Sequence, residues 1–461
     1  MKVNWTSDEL AAATGGTASG RFVCSGVAFD SREIGAGDLF FALKGESSDG
    51  YHYLEQVYAN GAAGAVVDRA TDGPHILVAD TAKALNDLAK AARARVNAKI
   101  IGVTGSAGKT GTKEALFAAL DRGSRGFAHR SVKSYNNHVG VPLSLSRMPA
   151  DTQYGIFEMG MNHAGELREL TALVRPDVAI VTTIAPAHIE FFKDESEIAK
   201  AKAEIFEGLT AQGTAIIPAD NEHYPLLRDA AQRYTQNVVS FGFSEKADVR
   251  VTDHVAVAGG TMITAQLPTG SLCYTLSQPG RHWIANSLAV LAAVEAVSGD
   301  LAAAGLAMAE LGGLAGRGAQ HRIAMDGGTI LLIDESYNAN PASMAATLAQ
   351  LGTLQGGRRI AVLADMRELG GQSAHYHNGL AGHLALAKVD YAILVGEEMQ
   401  NLAQTLKQGV EGPDKFDHCS NSKEALELLQ VNLQADDIVL VKGSNSMGLS
   451  AIIKAYAGGG D

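Results

Sequence analysis

The chain has 461 residues, 46% hydrophobic and 19% charged, with a formal net charge of -12. That length exceeds one ordinary domain and that composition supplies several packed cores, so three domains are expected and disorder is not. The acidic balance argues against general binding to nucleic acid or to anionic membrane, and any anionic ligand must meet locally placed cations.

The opening Met1-Lys2-Val3-Asn4-Trp5 has no basic head leading into an apolar run, and no apolar stretch reaches about 18 residues. Neither export nor membrane insertion is expected, and the chain is placed in the cytoplasm. Cys24, Cys273 and Cys419 lack metal-ligand spacing and read as scattered buried thiols in a reducing compartment. Residues 1–97 mix short strands, Ala65-Val66-Val67 and Ile76-Leu77-Val78, with a helical run from Ala82 to Val96, which makes a small α/β domain. Its loop Lys44-Gly45-Glu46-Ser47-Ser48-Asp49-Gly50 is rich in turn formers and suits either ligand contacts or a plain surface turn.

A second domain, residues 98–314, opens with the apolar strand Ile100-Ile101-Gly102-Val103, a glycine-rich turn and a helix through Leu120. Strands ending at Phe157 and Ile184 alternate with helical patterns, as in a mostly parallel sheet covered by helices, with Val249 to Leu276 as an antiparallel edge. Glycines at 312, 313, 316 and 318 mark a hinge. Residues 315–461 repeat the alternation with strands at 330–333, 360–363, 392–395 and 438–441, a Rossmann-like doubly wound domain.

The strongest local signal is Thr104-Gly105-Ser106-Ala107-Gly108-Lys109-Thr110, set between strand and helix as a phosphate loop requires. Glycines let backbone amides face the phosphates, Lys109 can neutralise β and γ oxygens, and the Thr110 hydroxyl can hold magnesium. Val103 stands where the common motif has its first glycine. Glu158 follows a strand that ends on the same sheet edge and is the natural oxygen ligand; His188 lies just past another and is less expected. On a helix read from Glu197 to Leu209, Lys202 falls within the stripe of Ile198, Ile205, Phe206 and Leu209, while Lys200, Glu204 and Glu207 lie outside it. Such a lysine either snorkels to water or is desolvated, with a lowered pKa and available for chemistry. His375 and His377 diverge on a helix and read as solvated histidines rather than a metal pair.

With these residues in view the chain resembles the Mur ligase family of peptidoglycan synthesis across nearly its whole length. The segments that carry the resemblance are Asp30-Ser31-Arg32, Asp38-Leu39-Phe40-Phe41-Ala42-Leu43-Lys44-Gly45, the phosphate loop, Asn136-Asn137-His138-Val139-Gly140-Val141-Pro142 and Glu158-Met159-Gly160. They continue with Ala185-Pro186-Ala187-His188-Ile189-Glu190, Ala201-Lys202-Ala203-Glu204-Ile205, Gly280-Arg281-His282, Ser336-Tyr337-Asn338-Ala339-Asn340-Pro341 and Lys442-Gly443-Ser444-Asn445-Ser446-Met447-Gly448-Leu449. The last two point to the dipeptide-adding branch. Thr183, Trp283, Glu335, Ala364 and Asn445 depart from the family pattern.

The resemblance implies an ATP-dependent amide ligase with magnesium. It would join D-alanyl-D-alanine to UDP-N-acetylmuramoyl-tripeptide through an acyl phosphate and work as a monomer. It implies that Lys202 is carbamylated, and that Thr110, Glu158, His188 and carbamylated Lys202 hold magnesium. Lys109, Glu158, His188 and Lys202 would be the catalytic set. Asn286 would face adenine, and Arg317 and Asp334 would reach the phosphates and ribose. Ser31, Arg32, Gly45, Asp49 and His52 would hold the uridine diphosphate end of the acceptor, and Asn136, Asn137, Tyr337 and Asn338 would contact substrate. Two other readings remain at this point: another family ligase that adds a single amino acid, and a non-catalytic nucleotide-binding regulator.

Overall fold

Short apolar runs separated by crossovers build four parallel strands near the N-terminus, Gly26–Ala28, Asp38–Phe41, Gly64–Val67 and His75–Leu77, with Thr17–Ala18 antiparallel at one edge. A computed structural model describes residues 4–45 and 48–458; Glu46 and Ser47 of the Lys44-to-Gly50 loop lie outside the described residues, as do Met1, Lys2 and Val3. The helix Thr81–Ala94 starts where Asp80 accepts from the Lys83 amide, and its Leu85, Leu88 and Ala92 pack on the sheet. Because the strands run parallel, residues that follow them share one carboxyl edge. Ser31, Gly45 and Arg69 follow three different strands and so lie along that edge.

The central sheet has nine strands. Its parallel part runs in space Ala128–Arg130, Tyr154–Glu158, Lys99–Thr104, Val178–Val181, Thr214–Pro218, Asn237–Gly242 and Val249–Val257, and the antiparallel strands Gly260–Leu267 and Gly270–Leu276 complete the edge. One face is sealed by apolar residues of Gly140–Ser146, Glu166–Val174, Glu195–Ala203 and Tyr224–Ala231. The other is sealed by Lys109–Ser124, Arg281–Ala296 and Leu301–Ala309. With Glu158 in register with Val103, and Val181 with Thr104, the three central strands deliver their carboxyl ends to one place.

The last sheet has Ala319–Met325 antiparallel to Gly328–Glu335, followed in space by the parallel strands Ile438–Lys442, Arg359–Ala364, Tyr391–Val395 and Lys415–Cys419. Helices Pro341–Thr353, Ser373–Leu386 and Met399–Lys407 bury leucines on one face, and Ser422–Asn432 and Ser450–Ala457 cover the other. The described residues thus form an α/β protein of three successive units, each built on one of these sheets, with a small ribbon of Trp5–Thr6 against Val23–Cys24 beside the first.

Several local expectations are corrected. The strand expected to reach Ile184 stops at Val181, because Thr182 turns inward to donate to the Ala107 carbonyl at 2.5 Å. The helix that follows the phosphate loop extends beyond Leu120 to Ser124. The Lys202 helix spans Glu195–Ala203 and tightens into a 3-10 turn over Glu204–Gly208. That tightening swings Glu204 inward, where it is buried and accepts from the Gly165 amide at 2.8 Å. Cys273 is exposed, unlike Cys24 and Cys419. His377 is fully buried rather than solvated: its Nε2 accepts from the Met366 amide at 3.1 Å and its Nδ1 donates to the Ser373 carbonyl at 2.8 Å.

Candidate active site

The phosphate loop leaves Thr104, passes Gly105 and Gly108, and enters the helix Lys109–Ser124. Gly108 adopts φ +81, and a Cβ there would stand 2.9 Å from Asn286 Nδ2. A Cβ on Gly105 would stand 1.9 Å from Thr182 Oγ1, so only glycine allows the strand end and the loop to close on each other. Ser106 locks the turn: its amide donates to the Thr183 carbonyl at 2.8 Å and its hydroxyl to the Ala185 carbonyl at 2.8 Å.

Lys109 Nζ donates to the Gly105 carbonyl at 2.7 Å, curled over its own loop. Burial depresses its pKa; Glu158 opposes that and Arg317 adds to it. Thr110 Oγ1 donates to Glu158 Oε2 at 2.9 Å, and Asn136 Nδ2 donates to Glu158 Oε1 at 2.8 Å. Glu158 is only 1% exposed, so it is a buried carboxylate aimed at the first turn of the phosphate helix. Lys202 is 1% exposed, and its pKa is driven well below the ordinary lysine value, first by burial and then by the charge of Lys109. Lys109 therefore links the two: its charge acts on Lys202, and it feels the charge of Glu158, to which Thr110 is bonded.

His188 sits in left-handed backbone at φ +58 and pairs through Nδ1 with the Glu368 carboxylate of the third sheet unit. That bond holds the Glu368 carboxyl below its usual range. Its side chain thus faces the third unit, where sequence reasoning had paired it with Glu158.

A cavity of about 340 Å³ lies between the central and third units. Gly108, Asn286, His282, Trp283, Arg317, Glu335, Asn338 and Lys442 are among its walls. Of the residues expected to meet the nucleotide, Ala107, Gly108, Asn286 and Arg317 are there. Asp334 is not: its carboxylate accepts from the Gly316 amide at 2.6 Å and from the Ser336 hydroxyl at 2.6 Å, which fixes the hinge. Its neighbour Glu335 lines the cavity and pairs with the buried Lys442 at 3.3 Å. Burial lowers the Lys442 pKa, Glu335 resists, and Arg317 adds to the depression. His282 is held down to about 4 by burial and by Lys442, so it is neutral at neutral pH. Sequence reasoning did not place Glu335 and Lys442 at the cavity, although Lys442 opens a segment of the resemblance, Glu335 departs from the family pattern, and each ends a strand at the carboxyl edge of the third sheet.

Tyr337 is exposed and lies under the Arg317 guanidinium, 4.3 Å from its ring centre, while Asn338 gives its carbonyl to Lys442 Nζ at 2.9 Å. Asn137 Oδ1 accepts from the Gly140 amide at 2.9 Å, at the start of the helix Gly140–Ser146. In the N-terminal unit Asp49 pairs with Arg69 at 2.6 Å, and Arg32 makes a two-pronged contact with Asp30. Gly45 and His52 are exposed and Ser31 is partly so. Arg69, which also stacks on Tyr51, is a cation of this edge that sequence reasoning did not single out.

Comparison with known proteins adds to this geometry. Residues 23–100 match the Mur ligase family catalytic domain, 103–294 the Mur ligase middle domain, and 321–445 the Mur ligase glutamate ligase domain. The chain is 35% identical over 436 residues to the UDP-N-acetylmuramoyl-tripeptide--D-alanyl-D-alanine ligase of Escherichia coli K12, covering 93% of each protein. It is 32% identical to the Bacillus subtilis enzyme of the same name, covering 94% of this chain and 93% of that one. Among solved structures it superimposes on MurF from Acinetobacter baumannii with a TM-score of 0.84 at 31% identity, covering 98% of both chains.

Proposed function

The chain belongs to the Mur ligase family, and from that premise we infer that it is an ATP-dependent ligase joining D-alanyl-D-alanine to UDP-N-acetylmuramoyl-tripeptide. The products are UDP-N-acetylmuramoyl-pentapeptide, ADP and phosphate, in peptidoglycan precursor synthesis. Identity to relatives of that activity across nearly the full chain carries the choice of substrates. The Thr110–Glu158 hydrogen bond at the glycine-rich loop, with Lys109 near Glu158 and Lys202 buried near Lys109, supports the chemistry.

ATP and a carboxylate repel each other, by about 4 kcal/mol for unit charges 4 Å apart at an effective dielectric of 20. Lys109, swung from the Gly105 carbonyl onto the β and γ oxygens, offsets that repulsion. The loop amides orient the triphosphate, Asn286 faces the adenine, and Arg317 reaches the phosphates from the hinge. Glu335, which lines the cavity and is paired with Lys442, is nearer than Asp334 to where the ribose would lie. The acceptor carboxylate attacks the γ-phosphorus in line, giving an acyl phosphate and ADP, with positioning and charge neutralisation supplying the rate. The amine of D-alanyl-D-alanine then attacks the activated carbonyl, and the tetrahedral intermediate collapses to amide and phosphate. The third unit closes over the central one and shields the acyl phosphate from water.

Hard oxygen donors suit magnesium, and Thr110 Oγ1 and Glu158 Oε2 already converge at 2.9 Å. When bound, magnesium neutralises charge on the transferring phosphoryl group. Thr110 and Glu158 would hold it, with carbamylated Lys202 and, once its bond to Glu368 opens, His188 completing the set. An ammonium cannot ligate a cation. The burial of Lys202 beside Lys109 favours a neutral amine, which can add carbon dioxide and lose a proton to become an anionic carbamate. In this reading Ser31, Arg32, Gly45, Asp49 and His52 hold the uridine diphosphate, and Asn136, Asn137, Tyr337 and Asn338 flank the peptide portion. Residues 1–97 form the acceptor-binding domain, 98–314 the ATP domain and 315–461 the closing domain. The protein works as a cytoplasmic monomer; no helix among the described residues is long and apolar enough to cross a membrane.

The test is ADP formation across a panel of nucleotide-peptide acceptors and amines. Turnover is expected only with the tripeptide nucleotide and D-alanyl-D-alanine together. Equal turnover with a single amino acid on a shorter nucleotide-peptide would overturn the reading.

A further inference from the structure

Lys113 lies one helical turn beyond Lys109 and is fully buried, yet no step above uses it. Its ammonium stands 3.9 Å from Glu158 Oε2 and 2.9 Å from Glu114 Oε1, and Glu114 is held in turn by Arg130 at 3.0 Å. It also donates to the carbonyls of Ser131, at 3.4 Å, and of Lys133. A lysine removed from water in this way must be compensated on every side, and here two carboxylates and two carbonyls do so.

Those carbonyls belong to the segment that frames Glu158. The Ser131 hydroxyl accepts from the Glu158 amide at 3.0 Å, Ser134 Oγ lies 3.5 Å from Thr110 Oγ1, and Asn136 binds the other Glu158 oxygen. Lys113 thus touches both the carboxylate and the backbone that aims it.

We propose that Lys113 is a positioning residue for the divalent-cation site: it holds Glu158 and the 131–136 segment so that Oε2 faces Thr110. This rests on the reading of Thr110 and Glu158 as metal holders. Two physical effects of removing Lys113 have opposite signs. Charge alone predicts tighter cation binding, since a positive group beside a cation site repels it. Positioning predicts weaker binding, because the carboxylate loses the group that orients it; outer-shell partners of this kind are worth roughly 10- to 100-fold in metal affinity.

The experiment measures ADP binding by calorimetry with and without magnesium in the full-length protein, for Lys113→Met, Glu158→Gln and the double variant. Lys113→Met is expected to weaken the magnesium-dependent affinity on the order of tenfold, to leave magnesium-free ADP binding within twofold of wild type, and to add nothing to Glu158→Gln. In turnover the magnesium requirement rises while the KM for D-alanyl-D-alanine holds. Should the methionine variant not fold, Lys113→Gln removes the charge beside Glu158 but keeps an amide donor for the carbonyls, and a smaller loss in the same direction is expected from it. Unchanged or tighter magnesium-dependent binding overturns the proposal, and so do losses that multiply in the double variant, the signature of a general packing role. If Glu158→Gln itself binds magnesium and ADP normally, the metal reading fails first and this inference with it.

Discussion

Asn340 Nδ2 donates to the Ser106 carbonyl at 3.1 Å while its Oδ1 accepts from the Ser343 amide at 2.9 Å. The residue that caps the helix Pro341–Thr353 of the third unit therefore also grips the phosphate loop of the central one. The Arg317 contact with Ser134 at 3.5 Å and the His188 pair with Glu368 are further bridges between these two units. Any opening of the third unit must break these bonds, so the loop that binds phosphate also registers where that unit stands.

The 312–318 hinge should let the third unit move as a rigid body. Gly316 at φ +73 and Gly318 at φ +93 occupy backbone that other residues adopt with strain. Saturating ATP analogue plus acceptor is expected to change the X-ray scattering profile, and Gly318→Ala, which costs about 1 kcal/mol or more in backbone strain, to reduce that change. Profiles identical with and without ligands would count against a hinge here.

Lys109→Ala should abolish ligation while the protein stays folded. Among the described residues its side chain bonds to the Gly105 carbonyl of its own loop, and losing that bond costs about 1 kcal/mol of stability. Its absence opposite the transferring phosphoryl group is expected to lower turnover on the order of a thousandfold. Phosphate release and thermal unfolding, measured on one preparation, check both halves.

What could be read from the sequence divides by physical range. The phosphate loop and the parallel strands announce themselves through local pattern; the apolar stripe singled out Lys202 but left it between snorkelling and burial, and the fold buries it. Glu204 was misplaced because the stripe assumed about 100° per residue, whereas the 3-10 turn advances about 120° and rotates it inward. Lys113, Glu335, Lys442 and Glu368 matter only because distant segments meet. Lys113 reaches Glu158 across 45 positions and His188 reaches Glu368 across 180, and no periodicity records such pairings.

His129 makes stability depend on pH. Burial holds it down to about 4 from 6.5, although its Nε2 donates to the Ser144 carbonyl at 2.8 Å. Unfolded imidazole takes up a proton as pH falls through 6.5, while the folded one refuses it until about 4. The unfolded state therefore binds more protons in that window, and stability is full above 7 and declines between about 6.5 and 4. By pH 5.5 the loss is about 1 kcal/mol. His129→Gln keeps an amide donor for Ser144 and cannot titrate, so its urea midpoint should fall less than wild type between pH 7.5 and 5.5. Parallel pH slopes for the two proteins would refute the assignment.

The carbamate at Lys202 makes the most specific claim. The side chain is buried next to Lys109, so an ammonium there is opposed by both burial and like charge. A carbamate reverses the sign: it puts an anionic oxygen donor near Lys109, available to a cation held by Thr110 and Glu158. Lys202→Ala should be nearly inactive. Acetate or formate could partly fill the vacated space and restore an oxygen ligand, so millimolar carboxylate is expected to recover part of the activity. Recovery should require magnesium, since the added anion acts only through the cation. The same salts should do nothing for Lys109→Ala, whose missing charge is positive. Normal turnover by Lys202→Ala, or high-resolution density showing an unmodified amine with nucleotide and metal bound, would remove the carbamate from the mechanism.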